Sequence, residues 1–245
     1  DGDGNGHNTA IGSQSQLNAT TGEYNTSLGS MSIGSGVTTG DYNVAVGYQA
    51  GIALTSGERN ILIGANAGDA ITTAEHCVAI GHGALSAEDT YGRTTAIGYK
   101  ALNVQNTASA SYNVAVGYDA GLNVTTGVNN VIVGGRAGDA LTTGAYNIAI
   151  GYSALSTEDT GSTSIGIGYY ALQSQNNASN NYNVAIGHSA GAEVSTGQQN
   201  TIIGGLAGDA LTTSSGITAV GYGALSASTT GQFNTAVGFE ALMTT

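Results

Sequence analysis

Ten asparagines, Asn8, Asn25, Asn43, Asn60, Asn113, Asn130, Asn147, Asn183, Asn200 and Asn234, each open a five-residue phrase of the N-x-A-[IV]-G kind. The phrase recurs with its first residue replaced at Cys77, Thr94, Ser164 and Ile217. A row of carboxamides can hold a ligand. In stacked β architectures the same row forms an internal amide ladder, each side chain bonding the coil above and below, and that is the expectation here. Cys77 stands in the row, so it reads as a buried small substitute. A reactive thiol would want a cationic neighbourhood. His76 beside it makes this the one place where a metal or nucleophile pair could be sought.

The opening Asp1-Gly-Asp-Gly-Asn-Gly resembles the start of a calcium loop, D-x-D-x-[DN]-G. Asp1, Asp3 and Asn5 are therefore the metal candidates and calcium the only cofactor considered. The twelfth position is Gly12, where such a loop needs a bidentate carboxylate. Tyrosines recur at two points of the repeat: just before the asparagine (Tyr24, Tyr42, Tyr112, Tyr146, Tyr182) and five residues after it (Tyr48, Tyr99, Tyr118, Tyr152, Tyr169, Tyr222). A tyrosine offers an apolar body with a polar tip, which suits a sugar face. Tyr48, Tyr118, Tyr152 and Tyr222 are the ring candidates for carbohydrate. The plainer expectation is that the rings cover a glycine corner or pack at a seam between chains. All four histidines fall where aromatics otherwise occur and read as ring substitutes. Asp69, Asp139 and Asp209, with Glu88, Asp89, Glu158 and Asp159, read as solvated turn acids. No Ser-His-Asp order, catalytic carboxylate pair or phosphate loop breaks the repeat, so the expectation is a protein that is not an enzyme.

What positions these residues is the repeat itself. The fourteen starts are 17 residues apart, except for one step of 18 and two of 19. A short period from end to end means one turn of a coil, repeated: a parallel β-solenoid, all-β, shaped as a narrow roll. Counting from the asparagine as zero, position +3 is Ile, Val or Leu and +4 is Gly in all fourteen coils, and +7 is Ala in twelve. Alternation around +1 to +3 predicts a short strand, Gly at +4 a bend, and +5 to +8 a second short strand. A Thr/Gly-rich turn closes the coil. Where +8 is Leu (Leu85, Leu102, Leu155, Leu172), +11 is polar (Glu88, Gln105, Glu158, Gln175). Where +8 is Gly (Gly51, Gly68, Gly121, Gly138), +11 is Leu54, Ile71, Val124 or Leu141. Leu62, Ile132 and Ile202 at +2 accompany Ala65, Gly135 and Gly205 at +5, where most other coils carry Ala at +2 and Tyr or His at +5. Both exchanges predict shared volume within a layer.

A second period of 70 residues runs over 43-112, 113-182 and 183-245, in sets of four coils. The expected organisation is an acidic, Gly-rich segment 1-7 and one solenoid, 8-245. The 19-residue coil of the first two sets carries a polar loop, Asn106 to Ser111 and Asn176 to Asn181. Asn106, Ser109, Asn177 and Asn180 are its partner-binding candidates.

Composition agrees. Forty glycines without a proline point to many tight turns. Four basic residues against 16 acidic ones (net charge −12) cannot form a phosphate-tracking stripe, which excludes nucleic acid as a partner. No apolar run is long enough to insert in a membrane. One cysteine permits no intrachain disulfide.

The core phrase, as in Asn43-Val-Ala-Val-Gly-Tyr-Gln-Ala and Thr230-Gly-Gln-Phe-Asn-Thr-Ala-Val-Gly, resembles the TTG-x-[YF]-N-T-A-V-G-[YF]-x-A-L repeats of phage tail-fibre and tail-spike proteins. These are related to the head of trimeric autotransporter adhesins. The resemblance covers nearly the whole chain. It implies a homotrimer of left-handed rolls, placed in a virion tail fibre or on an extracellular surface and attaching to host-surface carbohydrate. A thin interior independently favours self-association, because burying a face of each coil against other copies adds apolar burial at about 25 cal/mol per Å². Two other functions are weighed: a self-assembling extracellular filament, since neither end shows a polar cap, and an ice-binding solenoid, from the Thr-Thr pairs at +12 and +13.

Overall fold

The structure, a computed structural model, describes residues 6–34 and 36–243. The chain divides into two compact units, residues 1–119 and 120–245. The first holds β1 (Thr9–Ile11), β2 (Thr26–Leu28), β3 (Val44–Val46), β4 (Ile61–Ile63), β5 (Val78–Ile80), β6 (Thr95–Ile97) and β7 (Val114–Val116). The second holds β8 (Val131–Val133), β9 (Ile148–Ile150), β10 (Ile165–Ile167), β11 (Val184–Ile186), β12 (Thr201–Ile203), β13 (Thr218–Val220) and β14 (Thr235–Val237). Within each unit every strand pairs in parallel with the next, and equal repeat positions meet: Val44 with Ile61, Ile165 with Val184. Each unit is a parallel β-solenoid, with no helix among the described residues.

Each coil contains one three-residue strand at +1 to +3. The expected second strand at +5 to +8 is a turn. Positions +6 and +8 adopt left-handed φ in every coil, as at Gln49 (55°) and Gly51 (58°), or Lys100 (51°) and Leu102 (48°). Such residues cannot belong to an extended segment. The residue before the asparagine is left-handed as well, as at Tyr42 (60°) and Tyr146 (60°). The +4 glycine has the most restrictive geometry. At Gly64 φ is +129°, and a Cβ there would lie 2.6 Å from the carbonyl oxygen of Gly81, one coil on.

The period-two strand sends +2 inward and +1 and +3 outward. Ala45, Leu62, Ala79 and Ala96 are fully buried at +2, as are Ala50, Ala67 and Ala84 at +7. The invariant +3 residue, by contrast, is buried in no coil, and neither is +1. The valines and isoleucines at +1 and +3 therefore lie outside the coil, and the interior is built from Ala, Asn and the larger apolar residues at +2, +8 and +11, such as Leu62, Ile132, Leu85 and Ile71.

The +8/+11 exchange is a shared volume as expected. A Cβ on Gly68 would sit 2.8 Å from Ile71 Cδ1, and one on Gly208 2.6 Å from Leu211 Cδ1. The +2/+5 exchange is not, because +2 points in and +5 out. Leu62 instead fills the space above two glycines at +8: its δ carbons would meet a Cβ on Gly51 at 2.6 Å and on Gly68 at 2.7 Å. The 70-residue period is thus a packing cycle, two Gly layers bridged by one large +2 residue, then two Leu layers.

Candidate functional site

The asparagine row is a side-chain-to-backbone clamp. Asn25 Oδ1 accepts the backbone N–H of Asn43 at 2.8 Å, and Asn43, Asn60 and Asn147 repeat the contact onto Asn60, Cys77 and Ser164 at 2.9–3.0 Å. In most coils Nδ2 donates to the carbonyl closing its own coil, as from Asn43 to Gly57 and from Asn147 to Gly161, both 2.9 Å. Direct amide–amide bonds are fewer: Asn43 Nδ2 to Asn25 Oδ1 (3.0 Å) and Asn60 Nδ2 to Asn43 Oδ1 (3.1 Å). With both amide ends engaged and the side chains buried, the row offers no ligand site.

Two of the expected solvated acids are interior. Glu88 and Glu158 are fully buried, because Leu at +8 leaves polar volume at +11. Glu88 Oε2 accepts Gln105 Nε2 at 2.8 Å. Gln105 Nε2 also reaches Thr94 Oγ1 at 3.0 Å, and its Oε1 accepts Asn113 Nδ2 at 2.7 Å. Glu158 accepts the N–H of Gly161 (2.8 Å), Gln175 Nε2 (2.7 Å) and Asn181 Nδ2 (3.0 Å). Burial pushes the Glu88 carboxyl up to about 7, against the lowering effect of its hydrogen bonds from Gln105, Tyr91 and Thr107. These two nodes anchor the longer loops. At the loops, Asn106, Ser109 and Asn180 are exposed, whereas Asn177 is half-buried and donates to the Thr196 carbonyl at 3.0 Å. Ser109 lines a cleft of about 340 Å3 with Thr73, Glu75, Tyr91 and Arg93.

The outer tyrosines form ladders. In the first unit His7, Tyr24 and Tyr42 stack at 4.7 and 5.0 Å, and His82, Tyr99 and Tyr118 at 5.5 and 5.2 Å. In the second, Tyr152, Tyr169 and His188 stack at 5.5 and 5.2 Å, and Tyr222 on Phe239 at 5.6 Å. Stacked rings cover each other's faces. Of the expected sugar platforms, Tyr118, Tyr152 and Tyr222 each have one face against a neighbouring ring, and Tyr48 stands in its column between Ser30 and Ala65. The structure does not bring the four together, because each belongs to a different coil.

Cys77 is fully buried, and burial pushes its thiol up to about 12. The His76 side chain is half exposed, 3.7 Å from Glu75 on the outer surface, so the pair points to opposite sides of the wall. Asp1, Asp3 and Asn5 lie outside the described residues. Among the described residues no group of three or more His, Cys, Asp or Glu side chains could hold a metal ion.

One departure from the repeat was not singled out by spacing. Tyr170 is the only aromatic residue at +6 in fourteen coils. Its ring lies 4.0 Å from Tyr169 and is tilted 50° to it, out of the ladder plane. It walls a cleft of about 390 Å3 lined by Asn123, Arg136, Asp139, Tyr152, Ser153 and Gln173 among others. A second cleft of about 350 Å3 opens on its other side, toward Glu193, Leu206 and Asp209. The signal was present in the sequence as a break in one column, hidden because Tyr169 beside it fits the pattern.

Comparison of the chain with protein-family models, with curated proteins and with solved structures found no match.

Proposed function

We propose that this chain is a non-catalytic structural and adhesive fibre segment that associates as a homotrimer and presents its outer surface to host carbohydrate, in a phage tail fibre or related extracellular surface fibre. The observation that carries it is the outer strand face. In each unit every +1 position is Thr, Val or Ile and every +3 position Ile, Leu or Val, none of them buried. A contiguous exposed apolar stripe marks an interaction surface. An apolar residue at +3 of every coil, flanked by Thr, Val or Ile at +1, suits a partner with the same axial repeat, which a second and third copy of this chain supply. Left-handed winding belongs to the same proposal, drawn with the trimer from the repeat resemblance.

The ice-binding alternative needs free threonine hydroxyls. Those at +12 donate to the next coil, Thr55 to the Thr72 carbonyl at 2.9 Å and Thr125 to that of Thr142 at 3.1 Å. That favours the fibre reading. The test is solution mass by light scattering. The expected result is about 72 kDa, three times the 24.1 kDa chain, and a mass near that of one chain overturns the reading.

A further inference from the structure

Arg136, Ser153, Tyr170, Ser189 and Leu206 occupy +6 in five successive coils of the second unit. The two serines leave gaps on either side of the Tyr170 ring. Arg136 and Tyr170 therefore stand two coils apart, on the order of 9.6 Å along the stack at ordinary strand spacing. Ser153 lies between them as a floor. Arg136 Nε is held by Asp139 Oδ2 at 3.1 Å, and Asn123 Nδ2 donates to the Asp139 carbonyl at 2.8 Å. The equivalent pair in the first unit is Asn66 with Asp69, 3.2 Å. In the third repeat the +6 residue is Leu206, and Asp209 lines the second cleft beside Glu193, its Oδ1 turned into the wall as that of Asp69 is. The groove thus combines a tilted aromatic wall, an Arg–Asp pair and Gln173.

We propose that this groove binds an uncharged carbohydrate chain laid across Tyr170, with the ring against the apolar face of a sugar and the Arg136–Asp139 pair and Gln173 bonding its hydroxyls. The inference rests on the carbohydrate part of the fibre proposal and gives it a location and a ligand class. Hydroxyl groups both donate and accept, which matches a site offering guanidinium, amide and carboxylate together. Charge selects the neutral class. Arg136 is the only Lys or Arg among residues 120–245, against six Asp and Glu, and it is already paired. A sialylated or sulfated chain would meet an acidic surface with no free cation. The stacked tyrosines each have at least one face against a neighbouring ring and lie along the ladder, whereas Tyr170 is tilted out of it and walls both clefts.

The experiment uses the whole chain on an array of immobilised neutral, sialylated and sulfated oligosaccharides, followed by calorimetric titration with the best neutral binder. Two variants accompany it. Tyr170→Ser places at this position the residue that Ser153 and Ser189 already carry, and Arg136→Asn copies the Asn66–Asp69 pair, so both are compatible with the coil. The expected result is binding confined to neutral chains and weakened at least about tenfold by each variant, with solution mass and thermal melt unchanged. Binding only to anionic chains, no binding to any neutral chain, or equal binding by Tyr170→Ser overturns the proposal. A homotrimer that fails on the array refutes the groove and leaves the fibre assembly standing, whereas a monomer that binds neutral sugar does the reverse.

Discussion

Asn43 and Asn60 are joined twice across one layer step: Asn43 Oδ1 accepts both the backbone N–H of Asn60 at 3.0 Å and its Nδ2 at 3.1 Å. The interior of each coil is too narrow for a large apolar core. A polar row that satisfies backbone groups on both sides therefore carries part of the cohesion between layers.

Replacing Asn60 with Ala removes the acceptor for the Cys77 N–H and the donor to the Ala74 carbonyl. Each buried backbone group left without a partner costs about 1–3 kcal/mol. Urea denaturation of Asn60→Ala should show a loss in that range per group. A change within about 0.5 kcal/mol, typical of an unremarkable surface site, would show that the row is ornamental.

Glu88 makes stability depend on pH. Its folded carboxyl titrates near 7, above the ordinary 4.5. Between those values the folded chain holds more protons than the unfolded one, so this group's contribution is full below pH 4.5, falls as pH rises toward 7, and changes no further above it. Glu88→Gln mimics the protonated form. In thermal melts from pH 4.5 to 8, its Tm relative to the parent should rise with pH, and a pH-independent difference would exclude this titration.

Gly64→Ala and Gly135→Ala should separate sharply. The first puts a Cβ 2.6 Å from a backbone oxygen at φ +129°, whereas the second meets only the Tyr152 ring at 3.5 Å. Backbone strain and overpacking together predict a loss of roughly 2–6 kcal/mol for Gly64→Ala, and within about 0.5 kcal/mol for Gly135→Ala. Equal losses in urea would show that the +4 corner is not a geometric requirement.

Ile150 and Ile167 are paired neighbours on the outer face of β9 and β10. Changing both to Lys adds charge to the proposed seam without touching the interior. The double variant should lower the solution mass to that of one chain while keeping the strand signal in circular dichroism. An unchanged mass would move the interface elsewhere.

Cys77 should resist iodoacetamide at pH 8 until the chain is denatured, because its thiol, pushed up to about 12, carries almost no thiolate there. Rapid labelling of the folded chain would mean the coil opens at this layer.

The coil, its length and its strand were legible because a 17-residue period with invariant Gly at +4 leaves few geometries for the backbone. The +8/+11 exchange was legible too, since volume conservation between two positions shows in composition alone. Three features were not. The second strand failed because left-handed φ at Gln49, Lys100 or Tyr170 leaves no mark on residue type. Glu88 and Glu158 looked like turn acids because nothing in a carboxylate announces that Gln105 and Gln175 cover it. Tyr170 was masked by the neighbour that kept the pattern.

By itself, then, the sequence determined that identical layers stack in register, because equal residues at equal spacing can only satisfy the same contacts repeatedly. Only the tertiary structure decided which side of the wall each residue faces. Period-two alternation distinguishes two faces without naming the inner one. The closing of the coil does that, turning +2 and the clamped Asn inward and the Val and Ile of +1 and +3 outward.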